Sequence, residues 1–429
     1  MVSSFTIQNF RSILNLKLDF SYGEKKAPNR HQGLEIIPFI EAPGKQRMVP
    51  CMAFFGANAS GKTNILRAFA ALRELLQDGP ALLDVYEPNL LNPKFRATAF
   101  ALEFFIGADR FLYRISHTAT EIQNETLLKN DEPIYAIENL TPTFSPQLLS
   151  PAYTTEKLTD ILRVECSNGA GRQTKPFLHR VGLSYPGLHT DLQKVFLYFK
   201  NSLKIHSNET TIFLPVAVEL LASVLNGDKK AALQQITDVV RRLDIDLTAI
   251  NITETEIGPE KTPRYDTFIR HSPSTGTRYS LNITATHKDA SGNPALLDFI
   301  KHESAGTQRL AGLVGLILYT LHTGAVFLVD ELDRSLHPLL MREILLLFKK
   351  RRHNPKGAQL IFTTHNTDIL DDTILRLSEI ALVRKTPANG TLVRRLVDIK
   401  NAGEDIRNVT NFRKQYLAGF YSGIPHPSL

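Results

Sequence analysis

The stretch that most constrains this chain is Gly56-Ala57-Asn58-Ala59-Ser60-Gly61-Lys62-Thr63, which follows the pattern G-x-x-x-x-G-K-[ST]. An apolar run at 52–55 precedes it and reads as a buried strand, and a helical pattern follows over about 63–76. The spacing has a mechanical reason. Two glycines let the loop curl so that successive backbone N–H groups point inward, and the following helix aims its positive dipole end at the same point. Lys62 then reaches the β- and γ-phosphates of a nucleotide, and the Thr63 hydroxyl is placed to ligate Mg2+. Gly56, Asn58, Ser60, Gly61 and Asn64 complete the candidate cradle. The strand before and the helix after argue against a mere glycine-rich turn carrying a solvated lysine.

Such a loop needs a sheet behind it. Alternation over 4–20 predicts two strands around a turn at Asn9-Phe10-Arg11-Ser12, and 21–47 predicts a loop or long hairpin. A hairpin follows over 98–115, broken at Gly107-Ala108-Asp109, with another strand over 121–127. Residues 140–245 change character. Proline-containing loops at 142–151 and 175–187 separate helical patterns at 155–166, 189–204, 213–225 and 229–242, without the sustained heptads of a long coiled coil. Strand-like alternation returns over 247–300, with turns at 274–276 and 291–293. Beyond it a helix (307–321), a strand (325–329), a helix (338–350) and a strand (359–363) alternate, the mark of a parallel α/β sheet. Two more strands over 376–398 and a helix over 403–418 follow.

The late strands supply acids. Ala325-Val326-Phe327-Leu328-Val329 runs into Asp330 and Glu331, and ligands of parallel sheets bind at the carboxyl ends of strands. One acid there can hold Mg2+, directly or through water, and a second can orient and deprotonate an attacking water. The next strand ends at Thr363-Thr364-His365-Asn366, where His365 can hydrogen-bond a γ-phosphate. Glu303-Ser304-Ala305-Gly306-Thr307-Gln308 directly precedes a helix. Its hydroxyls and free N–H groups suit a phosphate, and equally an ordinary N-cap.

Composition excludes little. A hydrophobic content of 43% and a charged content of 22% are those of an ordinary globular chain, and the net charge of +7 allows a nucleic-acid partner without demanding one. The densest basic run, Lys349-Lys350-Arg351-Arg352, reads either as a solvated helix end or as a polyanion contact. Cys51 and Cys166 stand in no metal-ligand or CxxC spacing, as expected of free thiols in the cytoplasm. The opening residues lack the basic and apolar regions of a signal peptide. Residues 310–329 contain no Asp, Glu, Lys or Arg, but Thr320, His322, Thr323 and Gly324 divide them into a buried helix and a buried strand, so no membrane span is expected.

In order, GANASGKT, ESAGTQ, FLVDELDRSLHP and FTTHN resemble the ABC-type ATPase heads of the SMC, RecF and OLD lineage. They are most similar to the stand-alone bacterial AAA-family ATPases of abortive infection and phage defence, the RloA-like and PARIS-type group. The opening Ile7-Gln8-Asn9-Phe10-Arg11-Ser12 and the late Tyr416-Leu417-Ala418-Gly419-Phe420-Tyr421 with Ile424-Pro425 are similar too, whereas 130–300 match only loosely. The implied fold is α/β: an ABC-ATPase head with a mixed β lobe, a parallel P-loop core and a helical insertion. The head would comprise 1–139 and 246–429, and the insertion 140–245.

The resemblance implies ATP and Mg2+ as cofactors and ATP hydrolysis as the activity. Lys62 and Thr63 would be the phosphate and Mg2+ residues, Asp330 would support Mg2+, Glu331 would be the catalytic base, and His365 the switch histidine. Arg11 would be an extra phosphate contact. Ser304 and Gly306 would form a signature that closes over ATP held by a second subunit, although SAGT departs from the LSGGQ of transporters. Asp333 would lie in the segment linking the two sites across a dimer. The implied protein is a cytoplasmic homodimer or higher homo-oligomer, sensing or regulating a separately encoded, nuclease-like effector. Two other readings stand beside it: a RecF- or SMC-like ATPase with nucleic acid as its partner, and a scaffold holding non-catalytic ATP.

Overall fold

The computed structural model describes residues 1–23, 36–37, 39–91, 96–206, 214–243, 246–257, 268–271, 277–334, 336–371, 373–386, 388–399 and 412–420. The chain forms two compact units. The first comprises Met1–Asn208, Thr323–Asp333 and Ile344–Leu429, and the second Glu209–His322 and Arg334–Glu343.

Elements are numbered through the whole chain. In the first unit, β1 (Val2–Phe10) and β2 (Ile13–Asp19) are followed by the short pair β3 (Ile40–Glu41) and β4 (Arg47–Met48), then β5 (Cys51–Phe55). Helices α1 (Lys62–Gln77) and α2 (Leu82–Val85) precede β6 (Thr98–Ile106), β7 (Asp109–His117), β8 (Ile122–Lys129), β9 (Glu132–Glu138) and β10 (Thr141–Phe144). Then come α3 (Thr155–Asp160), α4 (Phe177–Ser184), α5 (Thr190–Leu197) and β11 (Leu203–His206). The later parts add β16 (Val326–Val329), β17 (Gln359–Thr364), β18 (Ile380–Thr386), β19 (Gly390–Arg395) and α11 (Phe412–Leu417).

Among the described residues, one 13-stranded sheet runs β10-β9-β8-β7-β6-β1-β2-β19-β18-β5-β17-β16-β11. From β18 to β11 every pairing is parallel, and from β10 to β19 every pairing is antiparallel. The sequence accounts for the split. CMAFF, VFLV and QLIFTT are buried at every position, as parallel strands covered on both faces must be. β7 alternates, with Phe111, Tyr113 and Ile115 inside and Arg114 outside. Helix α1 buries Ile65, Leu66, Phe69, Leu72 and Leu76, and the Phe69 ring lies 4.2 Å from that of Phe5 on β1. Both rings belong to a hydrophobic core that also takes in side chains of β6–β9, α4 and α5.

Three local expectations are corrected. The stretch at 175–187 is not only loop: Pro176, whose ring fixes φ, stands at the N-cap of α4 and starts a helix rather than breaking one. The pattern at 189–204 is not a single helix. It leaves α geometry at Leu197, passes through a π-turn at Tyr198–Ser202 and becomes β11, a strand paired with β16. The basic run is not uniformly solvated, because Lys349 is fully buried against Glu379 and the Ile374 carbonyl. Residues up to Asn208 belong to the first compact unit.

In the second unit, α6 (Leu214–Ser223), α7 (Lys229–Arg242) and α9 (Ala305–Thr323, whose last residue falls in the first unit) accompany an antiparallel sheet that has four strands among the described residues. A side chain at Gly315 would press on Ala217 and Ile236, so this glycine lets α9 approach α6 and α7. The sheet comprises β12 (Ala249–Ile257), β13 (Phe268–His271), β14 (Arg278–Lys288) and β15 (Pro294–Asp298), centred on β14. Helix α8 (Phe299–His302) follows it, and α10 (Pro338–Lys349) begins in the second unit and ends in the first. The apolar 310–329 stretch divides between α9 and β16. No helix among the described residues is long and apolar enough to cross a membrane. The turn expected at 274–276, the start of the helix expected at 403–418, and the similarity at Tyr421, Ile424 and Pro425 lie outside the described residues.

Candidate functional site

The glycine-rich loop lies in the first unit, between β5 and α1. A side chain at Gly56 would collide with the Val383 carbonyl, so the chain leaves β5 pressed against β18. Ala59 (φ 60°) and Gly61 (φ 102°) then take left-handed backbone and curl the loop. Lys62 folds back across it: Nζ donates to the carbonyls of Gly56 (2.8 Å) and Ala57 (3.0 Å). Burial lowers the Lys62 pKa, and the charges of Asp330, Glu331 and Asp333 oppose that shift. Asn58 is exposed, and Ser60 is buried with no partner for its hydroxyl among the described residues.

The strand-end carboxylates meet this loop. The Thr63 hydroxyl donates to Asp330 Oδ2 at 2.9 Å, and the Thr363 hydroxyl, from β17, donates to Oδ1 at 2.6 Å. Thr363 Oγ1 also accepts the backbone N–H of Glu331 at 2.7 Å. Glu331 adopts φ 46°, an unusual conformation for a non-glycine residue, and the Leu332 N–H returns to the Thr363 carbonyl. Asp333 accepts the backbone N–H of His365 on Oδ2 at 3.2 Å, and its Oδ1 is buried with no partner among the described residues. The His365 residue itself is exposed.

The donor set fits Mg2+. Adjacent oxygen ligands of an octahedral ion at ~2.05 Å stand about 2.9 Å apart, and Thr63 Oγ1 and Asp330 Oδ2 are 2.9 Å apart. Among the described residues no group of three or more His, Cys, Asp or Glu side chains could hold a metal. One carboxylate and one hydroxyl suit an ion that completes its shell with phosphate and water.

Arg11 makes several hydrogen bonds within the first unit. Its Nε donates to Glu87, its Nη1 donates to Asn64 Oδ1 at 3.2 Å, and its backbone N–H donates to the Glu87 carbonyl. It sits beside the first turn of α1, held by protein partners. Two residues in contact with the loop were not read from the sequence. Thr391 donates to the Ser60 carbonyl (3.2 Å), and Ser12 shares a hydrogen bond with Thr391 (2.7 Å). Nothing in the local pattern of β19 separates Thr391 from an ordinary strand threonine.

Arg11, 56–64, Asp330, Glu331, Asp333 and His365 all belong to the first unit, whereas Ser304 and Gly306 belong to the second. There the Ser304 hydroxyl accepts the Thr307 N–H at 3.1 Å and so caps α9. Gly306 lies in the first turn of α9, and Gln308 Nε2 donates to the carbonyls of Ile300 and Glu303.

Residues 228–371 match the family model described as “AAA domain, putative AbiEii toxin, Type IV TA system”. The match includes Ser304, Asp330, Glu331 and His365 and leaves the 56–63 loop outside. Among solved structures, the SMC head domain from Thermotoga maritima aligns over 93% of this chain and 99% of its own, with 12% identity and a TM-score of 0.41. No curated protein matches the chain. The AAA-domain match over 228–371 and the geometry of the glycine-rich loop together support a nucleotide-binding ATPase.

Proposed function

We propose that this chain hydrolyses ATP as a homodimeric ABC-type ATPase and governs a separately encoded effector in bacterial antiphage defence. The observation that carries the catalytic part is the Thr63–Asp330 contact, which joins residues 267 apart in sequence at 2.9 Å. It sets a phosphate-loop hydroxyl beside a strand-end carboxylate, next to a lysine that crosses the loop. Mg2+ held by Thr63 and Asp330 would neutralise charge on the β- and γ-phosphates. Lys62 and the loop N–H groups bind those phosphates, while Asn58 flanks them. Glu331 orients a water and takes its proton, and His365 hydrogen-bonds the γ-phosphate.

The exposed, capped start of α9 at Ser304 supports closure over a nucleotide held by a second copy, because free N–H groups at a helix N-terminus attract phosphate. The defence setting is supported by the motif resemblance and by the toxin–antitoxin system named in the matching family's description. The second unit is the proposed docking surface for the effector.

Glu331→Gln tests the core of this reading. The variant is expected to bind ATP, to hydrolyse it at least ~100-fold more slowly, and to elute as an ATP-dependent dimer in size-exclusion chromatography with light scattering. Normal turnover removes Glu331 as the base, and a monomer with ATP bound removes the dimer. Tagged protein expressed with its neighbouring genes should co-purify a nuclease-like protein. ATP-dependent binding of DNA ends by the isolated chain, weakened by salt, would favour the RecF-like reading instead.

A further inference from the structure

We infer that Ser12 and Thr391 are positioning residues for the nucleotide: they hold the Ser60–Gly61 peptide in the orientation that turns the Gly61 N–H toward the phosphates. The inference rests on the nucleotide-binding reading above and identifies what sets the loop's geometry.

Two turns far apart in sequence meet behind the loop. Gly390, with φ 63°, opens β19, and a side chain there would collide with the Ser12 carbonyl. The closeness is used: the Thr391 N–H donates to the Ser12 carbonyl at 2.7 Å, and the two hydroxyls lie 2.7 Å apart. Thr391 also stands directly against the loop, since a side chain at Gly61 would collide with its Oγ1.

The hydroxyl protons can be assigned by elimination. The Ser60 carbonyl can only accept, so the bond at 3.2 Å uses the Thr391 proton. Thr391 must then accept from Ser12. Ser12 in turn accepts from Asn64 Nδ2 at 2.6 Å, and Asn64 Oδ1 accepts from Arg11 Nη1 at 3.2 Å. Every bond therefore points one way, from the Arg11 guanidinium through Asn64, Ser12 and Thr391 to the Ser60 carbonyl. Such a chain is self-consistent, and each bond polarises the next.

The consequence lies in the peptide plane. In a trans peptide the C=O and the following N–H point in opposite directions. Pinning the Ser60 carbonyl back toward Thr391 therefore aims the Gly61 N–H away from it, to the inner side of the loop where phosphate oxygens are to be bound. Without the pin, the Ser60–Gly61 peptide can rotate, because Gly61 tolerates backbone conformations closed to other residues.

The test is equilibrium titration of the full chain with a fluorescent N-methylanthraniloyl-ATP, alongside melting curves without nucleotide and steady-state turnover. The proteins are wild type, Thr391→Val, Thr391→Ser, Ser12→Ala and Lys62→Ala. Thr391→Val keeps the shape and removes the donor. It is expected to weaken binding about ten-fold and to raise KM while leaving kcat within about two-fold. Thr391→Ser, which restores the hydroxyl, should bind like wild type.

If Thr391→Val binds the analogue as tightly as wild type while Lys62→Ala does not bind, the positioning role is overturned and the nucleotide reading survives. If wild type itself fails to bind, both fall. Should Thr391→Val lose its melting transition, Ser12→Ala decides. It removes the group that donates to Thr391, so weakened binding with an intact melting curve supports the inference and unchanged binding overturns it.

Discussion

Asp330 and Glu125 are buried carboxylates on one sheet, the first in its parallel half and the second in its antiparallel half. Among the described residues Glu125 accepts five hydrogen bonds, from the Tyr113 and Tyr135 hydroxyls, Gln173 Nε2 and the backbone N–H groups of Phe177 and Leu178. Burial raises its pKa, and the bonds from α4 and the tyrosines hold the rise back. Asp330 accepts from the hydroxyls of Thr63 and Thr363, and Thr63 belongs to the phosphate loop. A carboxylate surrounded by fixed donors on β7, β9 and α4 fastens those elements together. One whose partners are hydroxyls, themselves able to ligate, can turn a lone pair to a cation. Burial is common to both, and the chemistry of the donors separates anchor from ligand.

Substitutions can break that contrast. Asp330→Asn should reduce Mg2+-dependent ATP turnover about a thousand-fold, the several kcal/mol that a catalytic metal contributes, with a melting temperature within a few degrees of wild type. A large loss of stability in this variant would make Asp330 an anchor as well. Glu125→Leu should do the reverse. Its five donors lose their acceptor, and urea unfolding should show a loss of about 3–5 kcal/mol, with nucleotide affinity preserved in whatever remains folded.

His117, also in the antiparallel half, sharpens the comparison through pH. Burial pushes its pKa down to about 4, against a bond to the Thr118 carbonyl that raises it. The unfolded chain therefore takes up this proton first. Stability is fully present above about pH 6.5 and is lost as pH falls from there toward 4, by up to about 3 kcal/mol. His117→Phe should flatten that acid slope in urea midpoints, and a slope equal to that of wild type would remove His117 as its source. The smallest effect is expected for Thr363→Val, which loses one bond to Asp330 and one from the Glu331 N–H. The Mg2+ concentration for half-maximal turnover should rise about five-fold with little change in melting. An unchanged Mg2+ dependence would show that Thr63 alone sets the carboxylate.

The parts visible in the sequence are those whose physics is local. The 56–63 loop has its glycines, lysine and hydroxyl in one run, and the β6–β7 hairpin announces itself by alternation around Gly107. What stayed hidden depends on distant partners. β11 is only four residues long and is a strand because β16 pairs with it, and the preceding π-turn continues the helical spacing up to its edge. Arg11 could be matched to a motif, but Glu87, which binds it, is 76 residues away. Thr391 becomes meaningful only when Gly390 brings it against Ser12. Ser304 presented both a cap and a phosphate contact in sequence, and its hydroxyl caps α9.

The 267-residue gap between Thr63 and Asp330 also orders events in time. Synthesis at roughly 5–20 residues per second places about 13–53 s between the two residues entering the chain. The glycine-rich loop and its lysine are thus made long before the carboxylate that would complete the proposed cation site. β16, which delivers Asp330, joins the sheet between β11, made earlier, and β17, made later. Nascent chains that end before 330 contain the loop without its acid, so on the reading proposed above a Mg2+-nucleotide would find both of its protein ligands, and so favour the folded state, only in chains that extend past 330.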